Sequence, residues 1–203
     1  LIKKIQLLFN PTMSPAISNA YGHMDKHSVL SIENKSTGDI ENGLQIGYTL
    51  DEMVTRGENF LRGIGLVKNF APIVYFVAHG SSSANNPHHG AHDCGACSGR
   101  PGSVNARAFA AMANNPQVRQ LLAERGLQLP EGTRFIGALQ DTTRDEISFF
   151  DVANLPENLA ALHQNHSSTF TQALAHNATE RSRRFNMTFA GKEEKYIHEE
   201  VKL

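Results

Sequence analysis

The run Ile73-Val74-Tyr75-Phe76-Val77-Ala78-His79-Gly80-Ser81-Ser82-Ser83 opens with six consecutive apolar residues, rich in β-branched and aromatic side chains. It lacks the period-two alternation of a half-exposed strand, so Ile73 to Ala78 reads as a strand buried on both faces, as in a parallel sheet. The strand passes through His79-Gly80 into a polar loop, Ala84 to Gly102, that holds both cysteines and three histidines. A second apolar strand is expected at Thr133–Leu139, and Ile147–Phe150 supplies a third. Helical patterns separate these runs. Val104–Ala113 forms one, and Asn115-Pro116 caps and starts another that Gly126 ends. Upstream, Thr49 and Glu52 match a capping box, with Gly65 as the stop of the helix they open. Downstream, Pro156 opens a long helix through Leu159, Leu162, Phe170 and Leu174 to about Phe185. This order is α/β, with a mostly parallel sheet flanked by helices and a right-handed crossover. Ligands of such sheets sit beyond the carboxyl ends of the strands, the place of His79 and of Gln140 and Asp141.

The chain has 203 residues, 40% hydrophobic and 19% charged, which is one domain's worth of core and excludes a disordered tail or a charged coil. A net charge of −1 provides no basic field, so no nucleic acid partner is expected. No stretch approaches the roughly 18 apolar residues of a membrane-spanning helix. Cys94 and Cys97 are three positions apart and make no disulfide framework, which points to a reducing compartment. Residues 1–10 form a short apolar element of open type, and the Asn-, Ser-, Gly- and Pro-rich remainder makes residues 1–47 an irregular connecting segment. The sequence starts LIKKIQLLFN without Met or signal-peptide pattern and ends in mid-pattern at KYIHEEVKL. The expectation is a piece of a longer cytosolic protein, with residues 186–203 beginning a further, truncated element.

The chemistry concentrates on His79 and Cys94, fifteen positions apart across a Gly- and Asn-rich loop. Imidazole and thiolate are the donors Zn²⁺ prefers, and a strand end is a rigid place to fix one of them. The same His79 also reads as a hydrogen-bonded strand-end residue. Cys94-x-x-Cys97 has a redox reading, although no thioredoxin-like helix follows it. AHGSSS invites a serine-nucleophile reading with His79 as base, but G-x-S-x-G is absent, and a loop that caps the following turn is the simpler account. His88, His89 and His92 read as further ligands or as a solvated loop. His163 and His166 share a helix face with Leu159, Leu162 and Phe170 and border a core. Asn177, Glu180, Arg181, Arg183 and Arg184 form a charged helix end in which Arg181 or Arg184 can pair with a buried carboxylate.

HGSSSANNP at 79–87, AHDCGAC at 91–97 and VNARAFAAMANNPQVRQLL at 104–122, in that order, resemble the DabA family, the β-carbonic-anhydrase-like subunits of energy-coupled inorganic carbon transporters. GLQIGYTLDEM at 43–53, DTTRDE at 141–146 and NATERSRRF at 177–185 extend the resemblance to about residues 43–185. The resemblance implies one Zn²⁺ held by a Cys-x-Asp pair and by a distant His and Cys. Carried over by motif, these last two are His79 and Cys94, while Cys97 belongs to the motif without being assigned as a ligand. No cysteine precedes Cys94, so the Cys-x-Asp half lies upstream of this sequence, along with the expected catalytic residues. Two of four ligands imply a weak or empty metal site in this chain alone. Gln140 stands where the family commonly has His.

Residues 48–185 would then be the C-terminal half of a β-carbonic-anhydrase-like zinc domain, incomplete in this fragment. The function implied is zinc-dependent, vectorial hydration of CO₂ to bicarbonate, coupled to a cation-driven, multi-span membrane partner, DabB, similar to the ion-translocating subunits of respiratory complex I. The subunit itself would be peripheral, on the cytoplasmic face of the bacterial inner membrane. Two other classes stay open on the residues alone. One is a non-catalytic, zinc-stabilised module that docks on a membrane protein. The other is a small hydrolase or thiol oxidoreductase using His79 and Cys94 or Cys97.

Overall fold

The computed structural model describes residues 30–35, 39–81, 93–153 and 155–184. The expected element at 1–10, His88, His89, His92 and the segment 186–203 lie outside the described residues. In chain order the elements are β1 (Ile40–Glu41), β2 (Leu44–Gln45), α1 (Leu50–Gly63), β3 (Ile73–Gly80), a 3₁₀ turn (Gly95–Cys97), α2 (Ser103–Asn114), α3 (Pro116–Glu124), β4 (Arg134–Asp141), β5 (Glu146–Phe149) and α4 (Glu157–Arg184).

The local signals act as their chemistry dictates. Thr49 Oγ1 accepts from the Glu52 amide, and the Glu52 carboxylate accepts from the Thr49 amide, so the capping box of α1 is complete. Asn115 Oδ1 accepts from the Gln117 and Val118 amides, and Pro116 sits in the first turn of α3, where its missing N–H costs nothing. β1 and β2 form a small hairpin inside the segment expected to be irregular. Its turn is Asn42-Gly43, both at positive φ, the dipeptide that a two-residue hairpin turn favours.

The main sheet has three strands in the order β3-β4-β5. β3 and β4 pair in parallel from Ile73↔Arg134 to Gly80↔Asp141, as the continuous apolar runs predict. The expectation of a mostly parallel sheet holds for this interface alone, because β5 is antiparallel to β4. Only Thr142–Asp145 connect those two strands, and four residues form a hairpin but not a crossover. β3 is also less buried than its composition suggests. Val77 is 43% exposed, and the strand lies at an edge of the described sheet.

Helices cover both faces. On one, Met53, Val54 and Leu61 of α1, Met112 of α2, and Val118 and Leu122 of α3 pack with Phe135, Val74 and Phe76. On the other, Leu159 and Leu162 of α4 pack with Ile73, Ile136, Tyr75 and Phe149. α2 lies so close to β4 that a Cβ on Gly137 would fall 2.9 Å from backbone atoms of Ala106 and Arg107. Asn114 then pins the end of α2 to β4, donating to the Phe135 carbonyl at 2.7 Å and accepting from its amide at 3.0 Å.

α4 is held by a polar cluster. Tyr75 Oη lies 2.9 Å from His163 Nδ1 and 3.2 Å from His166 Nδ1, inside a ring of Phe149 and Phe170. A phenol has one proton, so it donates to one imidazole and accepts from the other. Burial pushes the Tyr75 hydroxyl up to about 12. Burial first, and the neighbouring His166 second, push His163 below its ordinary 6.5.

Two outcomes follow from this packing. Gly137→Ala should cost about 1–3 kcal/mol in urea unfolding, because backbone rather than a flexible side chain must yield. Gly132→Ala, whose Cβ would meet nothing within 4 Å, should stay within about 0.5 kcal/mol. For His163, the folded state favours the neutral ring. Its contribution to stability is therefore full above the unfolded pKa and falls as pH drops from about 6.5 toward the depressed folded value. Thermal melts over that window should fall more steeply for the unaltered chain than for His163→Gln; equal slopes would contradict the assignment.

Candidate functional site

His79 and Gln140 are register partners at the carboxyl ends of β3 and β4. By strand alternation His79 shares its face with Tyr75, the side covered by α4. His79 is exposed. The chain returns to this end of the sheet after residue 92. Ser81, two positions beyond His79, donates its amide to Asp93 Oδ1 at 2.7 Å, and Asp93 directly precedes Cys94. Gly102 closes the return by donating its amide to the His79 carbonyl at 3.0 Å. Gly102 has to lie close here, since a Cβ would stand 3.0 Å from that of Ala78. The segment carrying Cys94 is thus tied to the β3 terminus on both sides.

Cys94 to Arg100 is a tight, self-bonded loop. The Cys94 carbonyl accepts from the Cys97 amide at 3.0 Å and the Gly99 amide at 3.1 Å. Ser98 and Gly99 take positive φ to complete the reversal. Both cysteines are free and half-buried. The Cys97 thiol is hydrogen-bonded with Cys94, which with burial pushes it up. Asn105 Nδ2, from the first turns of α2, lies 3.2 Å from Cys97 Sγ and pulls weakly the other way.

The NAR run, Asn105-Ala106-Arg107, therefore has three separate tasks. Asn105 meets the CxxC turn, Ala106 lies against Gly137, and buried Arg107 makes a two-pronged pair with Asp151 at 2.8 and 2.6 Å. The Arg107 guanidinium also lies over the Phe150 ring. Arg181 finds the buried carboxylate expected of the charged helix end, since its Nη1 is 2.8 Å from Asp145 Oδ2. The serine-nucleophile reading gains no support from Ser81, which is 5% exposed with its hydroxyl against Thr143 Oγ1. Ser82 and Ser83 lie outside the described residues.

Sequence reasoning missed Asp93, Ser81 and Thr143 as members of this end of the sheet. The signal was a carboxylate beside the first cysteine and hydroxyls within two residues of two strand ends, all positions that can bond a returning backbone.

As a donor set, the imidazole of His79 and the thiol of Cys94 fit Zn²⁺, as two of the ligands of a tetrahedral site. Among the described residues, no three His, Cys, Asp or Glu side chains converge as a metal-holding group. Among the same residues, no helix is long and apolar enough to cross a membrane.

Comparison with known proteins gives one family. The profile described as probable inorganic carbon transporter subunit DabA matches residues 1–202. A curated protein of that description from Azotobacter vinelandii is 50% identical over 201 residues, which is 99% of this chain and 24% of the relative. One from Nitrosospira multiformis is 51% identical over 198 residues, 96% of this chain and 22% of the relative. One from Methylococcus capsulatus is 50% identical over 139 residues, 68% of this chain and 13% of the relative. No solved structure matches. The chain thus spans about a quarter of the length of its most fully matched relatives, and it belongs to the DabA family of probable inorganic carbon transporter subunits.

Proposed function

We propose that this chain is part of a subunit for inorganic carbon uptake, in which His79 and Cys94 are half of a zinc site that serves CO₂ hydration. The supporting observation is the tie between the two segments. The Ser81 amide holds Asp93, and the His79 carbonyl holds Gly102, so the HGS and DCGAC runs share one end of a parallel strand pair. That end is where open α/β sheets bind ligands. The relatives' description as transporter subunits supplies the substrate class.

In this reading the chain's residues mainly hold and orient. β3 fixes the His79 backbone through its ladder with β4, and the self-bonded Cys94–Arg100 loop fixes the thiol. Gln140, the register partner of His79, places a neutral side-chain amide at the same strand end. Bound zinc supplies Lewis-acid chemistry that makes water a nucleophile near neutral pH. The remaining ligands, a Cys-x-Asp pair, belong to a part of the polypeptide upstream of this sequence, which completes a β-carbonic-anhydrase-like domain. A multi-span, DabB-like partner in the membrane, with this subunit peripheral on its cytoplasmic face, makes the hydration vectorial.

A thiol oxidoreductase fits the geometry less well. Cys94 opens a three-residue 3₁₀ turn rather than the long helix whose N-terminus activates the first thiol of a redox CxxC.

In the full-length protein, His79→Ala and Cys94→Ala should each abolish zinc retention through purification. Each should also abolish support of growth at ambient CO₂ in a strain lacking carbonic anhydrase. The isolated 203-residue chain should show no CO₂ hydration above buffer with zinc added. Full complementation by Cys94→Ala would overturn the site and favour a zinc-stabilised docking module.

A further inference from the structure

We propose that Ser81, Thr143 and Asp93 are positioning residues for the Cys94 thiol, and that Asn177 and Arg181 of α4 lock the set from behind. The inference rests on the zinc reading above and concerns how the ligand is held rather than which residue it is.

The connections form an unbroken line. Arg181 Nη1 donates to the Thr142 carbonyl at 2.7 Å and to Asp145 Oδ2 at 2.8 Å, and Asn177 Nδ2 donates to Asp145 Oδ1 at 2.7 Å. The Asp145 side chain is 1% exposed. These bonds fix the turn between β4 and β5 against α4. Asp141 Oδ1 fixes the same turn from within, accepting from the Thr143 and Arg144 amides. The turn then grips the end of β3. The Thr142 amide donates to the Gly80 carbonyl at 3.0 Å, and Thr143 Oγ1 meets Ser81 Oγ at 2.5 Å. Ser81 in turn holds Asp93 through its amide, and one peptide bond separates Asp93 from Cys94.

Stability alone does not call for this arrangement. Ser81, Asp93, Asp141 and Asp145 are all buried at one end of one small sheet. Burying carboxylates is costly, and well-packed apolar residues would hold a hairpin turn and a helix together as well or better. What hydrogen bonds add is direction, since a bonded oxygen accepts along a defined line and narrows where the strand end can settle. Partners bonded directly to a metal ligand set its orientation, and their loss typically weakens metal affinity about 10- to 100-fold; the Ser81–Thr143 pair acts further out, through Asp93 and the backbone of Cys94. The line also accounts for two runs that no ligand assignment explains. DTTRDE supplies the turn, and NATER supplies its lock.

The test uses the full-length protein with cobalt(II) in place of zinc, together with zinc competition against a chelator. Thr143→Val keeps the shape of the side chain and removes its hydroxyl, and Ser81→Ala removes the other member of the pair while keeping the amide that holds Asp93. Each should weaken zinc affinity by up to about 10-fold, the low end for groups bonded to a ligand itself, and shift the cobalt–thiolate absorption band, and Thr143→Ser should restore both. Ser81→Ala is the milder change and serves if Thr143→Val fails to fold. If Cys94→Ala weakens or abolishes the band but Thr143→Val and Ser81→Ala match the unaltered protein in spectrum and affinity, the site stands and the positioning role is wrong. If Cys94→Ala leaves the band intact, the ligand assignment itself falls, and the positioning role with it.

Discussion

Eight consecutive residue pairs run in parallel between β3 and β4, and the placement of the candidate site follows from that ladder. Because the strands point the same way, both carboxyl ends lie at one edge, so His79, Gly80 and Ser81 emerge beside Gln140, Asp141 and Thr142. A parallel pair requires a crossover, and the chain spends it on the 93–102 return, α2 and α3. The crossover therefore begins at the candidate site, which brings the cysteine turn to the same edge as the histidine. An antiparallel arrangement would have sent the two strand ends to opposite sides of the domain.

The ladder is held in place by one unusually close contact. Gly137 leaves the backbone of α2 room to rest on β4, and Ala106 is the small residue facing it. From that anchor the two neighbours of Ala106 reach in different directions. Asn105 meets the sulfur of Cys97, while Arg107 clamps Asp151 beyond β5. A three-residue run on one helix thus links the cysteine turn, the sheet and the segment leading to α4. Replacing the Arg107–Asp151 pair with a surface pair would lose this, since the Arg107 side chain is 10% exposed and its geometry is two-pronged.

The elements that local chemistry controls were legible in the sequence. Thr49 with Glu52, and Asn115 with Pro116, are bonds between near neighbours, and their pattern is visible without any fold. The parallel pairing of Ile73–Ala78 with Thr133–Leu139 was legible too, because continuous apolar runs joined by helices leave few alternatives. The antiparallel β5 and the Asn42-Gly43 hairpin were misjudged, although both are governed by connection length and turn chemistry that the sequence displays. Val77 and His79 are more exposed than an apolar run implies because edge position is a property of the sheet rather than of the strand. The Ser81–Thr143 and Ser81–Asp93 bonds join positions 62 and 12 apart, and no periodicity reports such pairs. Of the site, the proposed donors His79 and Cys94 come from a resemblance alone, while the bonds that tie their two segments together were not readable in the sequence at all.

Taken together, one edge of a small mixed sheet carries an imidazole, a thiol and a buried hydrogen-bond line that ends beside the thiol, in a chain of the DabA family. The central claim is that His79 and Cys94 supply two of four zinc ligands. Zinc X-ray absorption on the purified full-length protein tests it most directly. The account predicts a mixed shell, with sulfur at about 2.3 Å and nitrogen or oxygen at about 2.0–2.1 Å, and loss of part of the sulfur shell in any zinc that Cys94→Ser retains. A shell without sulfur, or one that Cys94→Ser leaves unchanged, would contradict it.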